Sequence, residues 1–407
     1  MSSTIGKQCV ILVGGLGTRL GALTEACPKP LLKVAGCPFL EYLLRNIRRF
    51  GYDDFVLLAG YRGDMVTAFA SDELREELNC RIKVIVEPAP MGTGGALRYA
   101  ADVLQERFLL LNGDSFFDFN LLDLATRKIE GDDIARVALR RLPDASRFGI
   151  VELAADRIVA FRERPEAPGP GLVNGGVYDL SRSILQHIGD GPCSLERDIF
   201  PVLVSKRQIF GFVYEGFFLD IGIPEDFARA QQDIPAALRR PAVFFDRDGV
   251  LNHDSGYTYK IEDFHWMEGA DQAIRKLNDL GWYVFVVTNQ AGVARGYYEE
   301  ADVQKLHVWM NEYLLHQGAH IDDFRYCPHH TDGTIEKYSL ACSCRKPEPG
   351  MVLDLIRQWT VDTGQSVLIG DKESDVEAGR AAGLGTIHYQ GGNVLRLIDE
   401  VVRIGDR

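Results

Sequence analysis

The sequence predicts an α/β protein of two domains, and three observations lead to this expectation. The 407 residues are too many for one ordinary hydrophobic core. Apolar runs of strand length alternate with amphipathic segments of helix length along the whole chain, which is typical of sheets covered by helices. The alternation also restarts, because a segment that resembles a last helix is followed by RRP at residues 239–241 and then by a new apolar run, AVFFD. We therefore expect domains at residues 1–238 and 241–407.

The predicted strands are apolar runs that end in glycine or polar residues. They are CVILVGG, DDFVLLAG, RIKVIVE and RFLLLNGD in the first domain, and PAVFFDRDG, WYVFVVTNQ and QSVLIGDK in the second. Helices are predicted for PFLEYLLRNIRRFG and EGADQAIRKLNDLG, which place apolar residues at helical spacing before a closing glycine. This order of elements predicts mostly parallel sheets.

Composition and charge exclude several classes of function. The net charge of −13 argues against nucleic acid or an anionic membrane surface as the main partner, although a local pocket can still bind a small anionic substrate. No apolar run is long enough to span a bilayer, and the start MSSTIGKQCV lacks the apolar core of a leader peptide. Eight scattered cysteines do not suggest a disulfide framework, so we expect a reducing cytoplasm. The oligomeric state stays open.

The first motif is a glycine-rich turn, VGGLGTRL, directly after an apolar run. A dinucleotide-binding fingerprint would need a glycine at Leu20 and a P-loop would need G-K-S/T, so neither fits. Closely spaced glycines let backbone N–H groups approach phosphate oxygens, and Arg19 and Lys29 add positive charge. The turn is therefore a candidate phosphate site, and a plain glycine turn beside a surface arginine is the alternative. The backbone groups of this site belong to Gly14, Gly15, Gly17 and Thr18.

GGLGTRL followed by PKPLL resembles the sugar-1-phosphate nucleotidyltransferase family. EPAPMGTGGAL, LLNGDSFF, FRERP, NGGVY and FLDIGIPED follow in the order that the family has, across nearly the whole predicted N-terminal domain. The resemblance implies a Rossmann-like α/β/α nucleotidyltransferase domain. It also implies that the phosphate of a sugar 1-phosphate attacks the α-phosphorus of a nucleoside triphosphate and that pyrophosphate leaves. Such transfer depends mostly on positioning and on charge neutralisation.

The resemblance also assigns roles to residues. It implies that Asp114 and Asp220 share a Mg²⁺ and that Arg19 and Lys29 hold the triphosphate and the leaving group. A second glycine loop, with Gly92 and Thr93, is expected to pack on the base and sugar of the nucleotide. The alternatives are that Asp114 forms a turn at a strand end and that Asp220 only precedes a helix.

Three further residues are implied to bind the sugar phosphate. Glu163 and Asn174 are expected to accept or donate hydrogen bonds at sugar hydroxyls. Arg164 stands where the family commonly has lysine, so the charge is kept although the geometry at the phosphate differs.

The second domain opens with VFFDRDGVLN, which places Asp246 and Asp248 two residues apart after an apolar strand. Residues with that spacing point to the same side of a strand, so both carboxylates can reach one site. One carboxylate can act as a nucleophile that forms an aspartyl-phosphate, and the other can act as a general acid and base. A turn or a calcium loop is the alternative, but the EF-hand pattern does not follow.

Further polar residues end later strands, and together they resemble the haloacid-dehalogenase-like (HAD-like) phosphatase family. Thr288 and Asn289 end VFVVTNQ, Lys346 stands in CRKP, and VLIGDKESD supplies Asp371 and Asp375. The resemblance implies that Thr288 and Lys346 bind the transferring phosphoryl group and that Asn289 binds substrate. It also implies a magnesium site, whose candidate ligands are Asp246, Asp248 and Asp371.

A group of cysteines and histidines suggests a structural zinc site. Cys327, His329, Cys342 and Cys344 offer ligands of the type that tetrahedral zinc prefers, and His330 is a competing ligand. The alternative is free buried cysteines beside a surface histidine.

This insertion, with NQAGVARGYY, resembles the D-glycero-D-manno-heptose 1,7-bisphosphate phosphatases, which are close to histidinol-phosphate phosphatases. The resemblance implies that Arg295 and Arg345 contact substrate. A surface arginine is the alternative for Arg295.

The two resemblances predict one bifunctional enzyme that uses Mg²⁺ in both domains. The second domain would remove the distal phosphate of a heptose bisphosphate, and the first, which resembles heptose-1-phosphate guanylyltransferases, would activate the remaining 1-phosphate with a nucleotide, expected to be GTP. Two alternatives stay open. One pairs a histidinol-phosphate phosphatase with another sugar nucleotidyltransferase, and the other makes one domain inactive and regulatory.

Overall fold

The computed structural model describes residues 7–15, 17–129 and 131–405. Position 16 of the first glycine loop lies outside the described residues, and so do residues 1–6, on which most of the leader expectation falls. The chain divides into two compact units, Met1–Ala236 and Ala237–Arg407. No helix in the described ranges combines the length and the apolar character needed to cross a bilayer.

The N-terminal unit is a mixed α/β structure. Its strands are β1 (Gln8–Leu12), β2 (Lys33–Val34), β3 (Cys37–Pro38), β4 (Asp54–Ala59), β5 (Arg81–Val86), β6 (Arg107–Asn112), β7 (Ser115–Phe117), β8 (Ala135–Leu142), β9 (Ile150–Ala154), β10 (Arg157–Arg162), β11 (Gly171–Ser181), β12 (Ile209–Tyr214) and β13 (Phe218–Asp220). Its helices are α1 (Phe39–Arg48), α2 (Gly63–Phe69), α3 (Asp72–Glu77), α4 (Gly92–Tyr99), α5 (Leu121–Thr126), α6 (Phe200–Ser205) and α7 (Pro224–Leu238).

The main sheet of this unit has the order β5-β4-β1-β6-β11-β8-β12-β10-β9 in the described part of the chain. The strands β5, β4, β1 and β6 are parallel, so their carboxyl ends meet at one edge. Beyond them, β11 runs antiparallel to both β6 and β8, and β9 and β10 form an antiparallel pair. The expectation of a mostly parallel sheet is therefore wrong for this half, because β8, β9, β10 and β11 follow one another without a helical crossover. The strand β12, which comes after α6, runs parallel to β8.

The predicted strands form the core of this unit. In β1 the side chains of Cys9, Val10 and Ile11 are fully buried, as expected for a strand covered by helices on both faces. Helix α1 buries its apolar side chains at helical spacing on one face. The core therefore fixes the parallel strands whose ends carry the site.

The C-terminal unit contains a parallel sheet, as the sequence predicts. Its strands are β14 (Ala242–Phe245), β15 (Tyr283–Asn289), β16 (Asp323–Cys327), β17 (Val367–Gly370) and β18 (Gly385–His388), and its helices are α8 (Ala270–Asp279), α9 (Ala291–Ala294), α10 (Glu300–His316), α11 (Gly350–Gln358), α12 (Glu373–Ala381) and α13 (Val394–Gly405). The sheet order is β16-β15-β14-β17-β18, and all neighbours are parallel. Polar residues that follow β14, β15 and β17 therefore lie at one edge.

Candidate active sites

A cavity of about 740 Å³ opens at the carboxyl ends of the parallel strands of the N-terminal unit. The residues predicted from the sequence that line it are Gly14, Gly15, Gly17, Thr18, Lys29, Gly92, Thr93 and Asp114. Both glycine loops and one predicted metal ligand therefore surround the same space, which is large enough for a nucleotide.

The first glycine loop needs glycine for steric reasons. Gly17 has φ +64°, and a Cβ built there would lie 2.9 Å from the side chain of Thr24. At Gly60, which follows β4, a Cβ would lie 2.4 Å from Glu87 Oε1. The backbone at the end of β4 and the carboxylate of Glu87 therefore approach each other closely inside the cavity.

The two predicted metal ligands of this unit lie side by side, where β7 pairs with β13. Ser115 Oγ lies 3.3 Å from Asp114 Oδ1 and 3.3 Å from Asp220 Oδ2. Lys29 Nζ lies 2.7 Å from Asp114 Oδ2, so a cation already offsets part of the negative charge. Burial, and after it the charge of Asp114, raise the pKa of Asp220 to about 6. Paired carboxylate oxygens suit a Mg²⁺ that also binds phosphate.

Other predicted residues of this unit lie away from the cavity wall. Arg19 is exposed, and so are Glu163 and Arg164, which follow β10. None of the three lines the cavity, so their contacts with substrate stay predictions. Asn174 on β11 is half-buried, and its Nδ2 donates a hydrogen bond of 2.7 Å to the hydroxyl of Tyr178.

Two carboxylates of the cavity were missed by the sequence reasoning. Glu87, in the loop after β5, accepts a hydrogen bond from the backbone N–H of Met91 at 3.2 Å, and burial raises its pKa. Glu196 accepts a hydrogen bond from the hydroxyl of Thr93 at 3.0 Å. The signal for Glu87 was its place at the start of EPAPMGTGG, whereas nothing in the spacing of the sequence indicated Glu196.

A second cavity, of about 210 Å³, lies at the carboxyl edge of the sheet in the C-terminal unit. Its wall includes Asp246, Asp248, Thr288, Asn289 and Lys346. Both carboxylates of the DRD motif therefore face one site, together with the two motifs that follow it along the chain.

Asp246 is the carboxylate of this cavity wall that the sequence identified as the nucleophile. It directly follows β14 and is 5% exposed, and Lys346 Nζ lies 2.9 Å from its Oδ1. The same ammonium lies 2.6 Å from Asp375 Oδ1. Burial raises the pKa of Asp246 to about 6, and the charge of Lys346 opposes that rise. The ammonium of Lys346 stabilises the ionised form of this carboxylate, which is the form that can attack phosphorus.

Asp248 is held by a different set of donors. Arg247, whose side chain is fully buried, approaches it with Nη2 at 2.9 Å from Oδ2. Gln290 Nε2 donates to the same oxygen at 2.9 Å, and Asn252 Nδ2 donates to Oδ1 at 3.0 Å. The hydroxyl of Tyr298 donates to Gln290 Oε1 at 2.7 Å and fixes that amide. The general acid predicted from the sequence is thus oriented by buried neighbours.

The carboxylates that could hold a metal here are Asp246, Asp371 and Asp375, whose ligand atoms all lie within 4.8 Å of one another. Asp371 Oδ1 is buried and has no hydrogen-bond partner among the described residues, since Lys372 Nζ is 3.9 Å away. The side chain of Asp248 does not belong to this group. The magnesium ligands predicted from the sequence therefore share Asp246 and Asp371 with this group, but they lack Asp375. They also include Asp248, whose side chain contacts Arg247, Gln290 and Asn252 instead.

Asn289 and the two predicted arginines hydrogen-bond to other parts of the protein. Asn289 donates to the carbonyl of Lys346 at 3.0 Å and accepts from its N–H at 3.1 Å, so it clamps the lysine loop onto β15. Arg345 donates to the carbonyl of His329 at 3.1 Å. Arg295 donates to the hydroxyl of Tyr257, which lines the cavity. Neither arginine lines the cavity itself.

The four predicted zinc ligands form a tight cluster. Cys344 Sγ lies 3.1 Å from Cys327 Sγ and 3.2 Å from Cys342 Sγ, and His329 Nδ1 lies 3.4 Å from Cys344 Sγ. These separations approach the ~3.8 Å edge of a tetrahedron with Zn–S bonds of ~2.3 Å. The Nδ1 of His330 accepts a backbone N–H instead, so this competing ligand is not part of the cluster. The donor set and geometry fit a structural zinc ion.

Family models match both parts of the chain. The nucleotidyl transferase model matches residues 8–237, and the HAD-hydrolase-like model matches residues 343–407.

Several curated relatives are phosphatases. The D-glycero-beta-D-manno-heptose-1,7-bisphosphate 7-phosphatase of Rhodopseudomonas palustris is 50% identical over 167 residues, which cover 41% of this chain and 93% of that protein. The D-glycero-alpha-D-manno-heptose-1,7-bisphosphate 7-phosphatase of Photorhabdus laumondii is 43% identical over 141 residues, which cover 35% of this chain and 77% of that protein. Relatives of both anomeric types therefore resemble this chain.

A solved structure resembles the other part. HddC from Yersinia pseudotuberculosis, complexed with GMP-PN, matches with a TM-score of 0.50 and 28% identity, over 56% of this chain and 99% of that chain.

Proposed function

We propose that the chain is a bifunctional enzyme of heptose activation, since it belongs to two families. Residues 8–237 belong to the nucleotidyl transferase family, and another part of the chain belongs to the heptose-bisphosphate phosphatases. The C-terminal unit removes the 7-phosphate of D-glycero-D-manno-heptose 1,7-bisphosphate. The N-terminal unit transfers GMP from GTP to the heptose 1-phosphate that remains, which gives GDP-heptose and pyrophosphate. The observation that carries this proposal is that each unit has its own carboxylate-lined cavity at the edge of its own sheet.

The phosphatase reaction uses the two aspartates of the DRD motif. The carboxylate of Asp246 attacks the phosphorus of the ester, and the bond between phosphorus and the sugar oxygen breaks. Asp248 gives a proton to the leaving sugar oxygen and then takes one from the water that hydrolyses the aspartyl-phosphate. Lys346 and Thr288 both line the cavity, and we expect them to bind the phosphoryl oxygens. Inorganic phosphate is released, and Asp246 is regenerated.

Magnesium fits the acidic groups of both units. In the C-terminal unit Asp246, Asp371 and Asp375 would hold it, and the buried, unbonded oxygen of Asp371 supports this assignment. In the N-terminal unit the ligands would be Asp114 and Asp220. Bound Mg²⁺ supplies positive charge that offsets the repulsion between carboxylate and phosphate.

The transferase reaction depends on positioning of the triphosphate. The first glycine loop and Lys29 line the cavity beside Asp114, and we expect the loop backbone and the Lys29 ammonium to bind the phosphates. The phosphate of the sugar attacks the α-phosphorus, and the bond to the pyrophosphate leaving group breaks.

Two observations support guanine as the base. The structural neighbour HddC was solved with GMP-PN, a guanine nucleotide. In this chain Glu87 lines the cavity at the second glycine loop and offers carboxylate oxygens that only accept hydrogen bonds. Guanine has two adjacent N–H donors on one edge, which a carboxylate can accept together.

The order of the two reactions follows from their chemistry. A nucleotidyltransferase of this kind needs a phosphate at the anomeric carbon, so the attached phosphatase must remove a different phosphate. A sugar bisphosphate satisfies both units. The substrates are small molecules, nucleic acid and membranes have no part in the reaction, and a reducing cytoplasm suits the thiolates of the zinc cluster.

The test follows both phosphates by ³¹P NMR. Purified protein with heptose 1,7-bisphosphate, Mg²⁺ and GTP should release inorganic phosphate first and then form pyrophosphate and GDP-heptose. Parallel reactions with ATP, UTP, CTP and dTTP test the choice of base. Histidinol phosphate is the control substrate, and its hydrolysis in place of the heptose bisphosphate would contradict the proposal.

A further inference from the structure

A series of hydrogen bonds joins the second glycine loop, called the nucleotide loop below, to Asn174, the residue that is predicted to bind the sugar. Thr93 belongs to the second glycine loop, and Asn174 lies on β11. Glu196 stands between them, lines the same cavity, and accepts hydrogen bonds from the hydroxyls of Thr93 and Tyr178. The resemblance to the nucleotidyltransferase family did not assign a role to Glu196.

The direction of each hydrogen bond is fixed by its neighbours. The N–H of Leu195 donates to Thr93 Oγ1 at 2.8 Å, so the single hydrogen of that hydroxyl is left for Glu196 Oε2 at 3.0 Å. On the other side, Asn174 Nδ2 donates to the hydroxyl of Tyr178, whose own hydrogen goes to Glu196 Oε1 at 3.2 Å. Both hydroxyls therefore need an acceptor at the same residue.

The orientation of Asn174 depends on this arrangement. Its Oδ1 accepts the N–H of Gly176 at 3.0 Å, which sets Nδ2 towards Tyr178. An amide nitrogen carries two hydrogens, so the bond to Tyr178 leaves one for a sugar hydroxyl. Tyr178 is fully buried, and its hydroxyl has little freedom to find another partner.

The segment that carries Glu196 is itself attached to the nucleotide loop. The N–H of Cys193 donates to the carbonyl of Met91 at 2.8 Å, and the N–H of Gly94 donates to the carbonyl of Cys193 at 2.8 Å. At Gly92 a Cβ would lie 2.5 Å from the Cys193 oxygen, so the two backbones are in close contact. Movement of Glu196 would therefore move the loop that is expected to bind the nucleotide.

We propose that Glu196 is a positioning residue that keeps the nucleotide loop and the sugar-binding strand of this cavity in register. The inference rests on the proposed nucleotidyl transfer in the N-terminal unit. Only a carboxylate accepts from both hydroxyls at once, because an amide has one oxygen and would turn an N–H₂ group towards one of them. Glu196→Gln therefore breaks the hydrogen bond from one of the two hydroxyls, Thr93 or Tyr178, and weakens the hydrogen bond from the other.

The test distinguishes the contact of Glu196 with Thr93 from its contact with Tyr178. It measures the steady-state kinetics of pyrophosphate release from GTP and heptose 1-phosphate. Thr93→Val should raise the KM for GTP, Tyr178→Phe should raise the KM for the sugar phosphate, and Glu196→Gln should raise both, each by about 5-fold or more. Asp198→Asn is the matched control, since Asp198 is exposed. The side-chain oxygen of the introduced amide can still accept the N–H of Ser194, as Asp198 Oδ2 does. Thermal unfolding of each variant checks that it is folded.

Three results would overturn the inference. Glu196→Gln could behave like Asp198→Asn, it could lower only kcat with both KM values unchanged, or Thr93→Val and Tyr178→Phe could each affect both substrates equally.

Calorimetric titration with Mg²⁺ and each nucleoside triphosphate in turn separates this inference from the proposed function. If the protein binds a nucleotide but forms no pyrophosphate with heptose 1-phosphate, the assigned sugar is wrong. Weaker nucleotide binding in Thr93→Val and Glu196→Gln, but not in Tyr178→Phe, then still supports the positioning role. The opposite pattern, or no nucleotide binding by the unmodified protein, overturns it.

Discussion

The division of labour between the two units can be tested at one carboxylate. Asp246→Asn removes the nucleophile but keeps the size of the side chain and one acceptor oxygen for Lys346. We expect phosphate release from heptose 1,7-bisphosphate to fall on the order of 10⁴-fold or more, because no covalent intermediate can form. Pyrophosphate formation from supplied heptose 1-phosphate should be unchanged. Loss of both activities in a folded variant would contradict the assignment.

The choice of base is a second question for a single residue. Glu87→Gln replaces a carboxylate, which only accepts hydrogen bonds, with an amide that both donates and accepts. We expect the preference for GTP over dTTP, measured as the ratio of kcat/KM values, to fall about 10-fold or more, since the second guanine donor loses its acceptor. Glu106→Gln, at an exposed position, is the control. An unchanged ratio would show that Glu87 does not contact the base.

Single residues also show what the sequence could and could not predict. Asp114 and Asp246 were found because they follow apolar strands, and parallel strands bring such ends together. Lys29 and Lys346 were found because they stand in ordered motifs, PKPLL and CRKP. Glu196 was missed because its contacts are distant along the chain. Its contact with Thr93 spans 103 residues and its contact with Tyr178 spans 18, so no local pattern records them.

Among the elements, the cysteine loop connects zinc with the phosphatase site. Cys344 is two residues before Lys346, whose backbone is clamped by Asn289 and whose ammonium lies against Asp246. Cys344→Ser should lower the zinc content and reduce phosphate release about 10-fold or more, because the lysine is no longer held in place. Zinc is measured by elemental mass spectrometry. Cys80→Ser is the matched control, and unchanged zinc content in Cys344→Ser would exclude this cluster as the binding site.

A buried histidine on α10 makes the C-terminal unit sensitive to acid. Burial, and then the charge of Arg247, lower the pKa of His307 well below its usual value, and its ring stacks on Phe324 at 4.5 Å between centroids. The unfolded chain takes up a proton near pH 6.5, whereas the folded chain does not. Stability is therefore full above that pH and is lost as the pH falls, by about 1.4 kcal/mol per pH unit from this group.

The four tryptophans make this prediction measurable. All of them lie in the C-terminal unit, at positions 266, 282, 309 and 359, so their fluorescence reports its unfolding alone. The free energy of unfolding, measured by urea titration, should fall less between pH 7.5 and pH 5.5 in His307→Gln than in the unmodified protein. Equal losses in the two proteins would contradict the assignment of the acid sensitivity to His307.

The elements differ in how well the sequence predicted them. The parallel strands were predicted because nearly continuous apolar runs of strand length, such as VFF and VLIG, are typical of a sheet that is covered on both faces. The antiparallel pairings among β8, β9, β10 and β11 were not predicted. Their order in the sheet is set by long-range pairing, for example between β11 and β6, and not by any local pattern.

For the whole molecule, the separate sites lead to a prediction about the intermediate. Every residue that we place in the transferase site belongs to Met1–Ala236, and every residue in the phosphatase site belongs to Ala237–Arg407. A mixture of Asp114→Asn and Asp246→Asn proteins therefore contains one intact site of each kind. We expect the mixture to convert heptose 1,7-bisphosphate and GTP to GDP-heptose within about twofold of the wild-type rate per intact site, because heptose 1-phosphate can diffuse from one protein to the other.

The mixing experiment also shows how the intermediate reaches the second site. Heptose 1-phosphate released by the Asp114→Asn protein must diffuse to the Asp246→Asn protein, so an added phosphatase that destroys free sugar 1-phosphate should stop GDP-heptose formation in the mixture. If the same phosphatase has no effect on the unmodified protein, the intermediate is transferred without release. Neither variant alone should form GDP-heptose from the bisphosphate. Product from either variant alone would mean that one unit carries out both reactions and that the assignment of one reaction to each cavity is wrong.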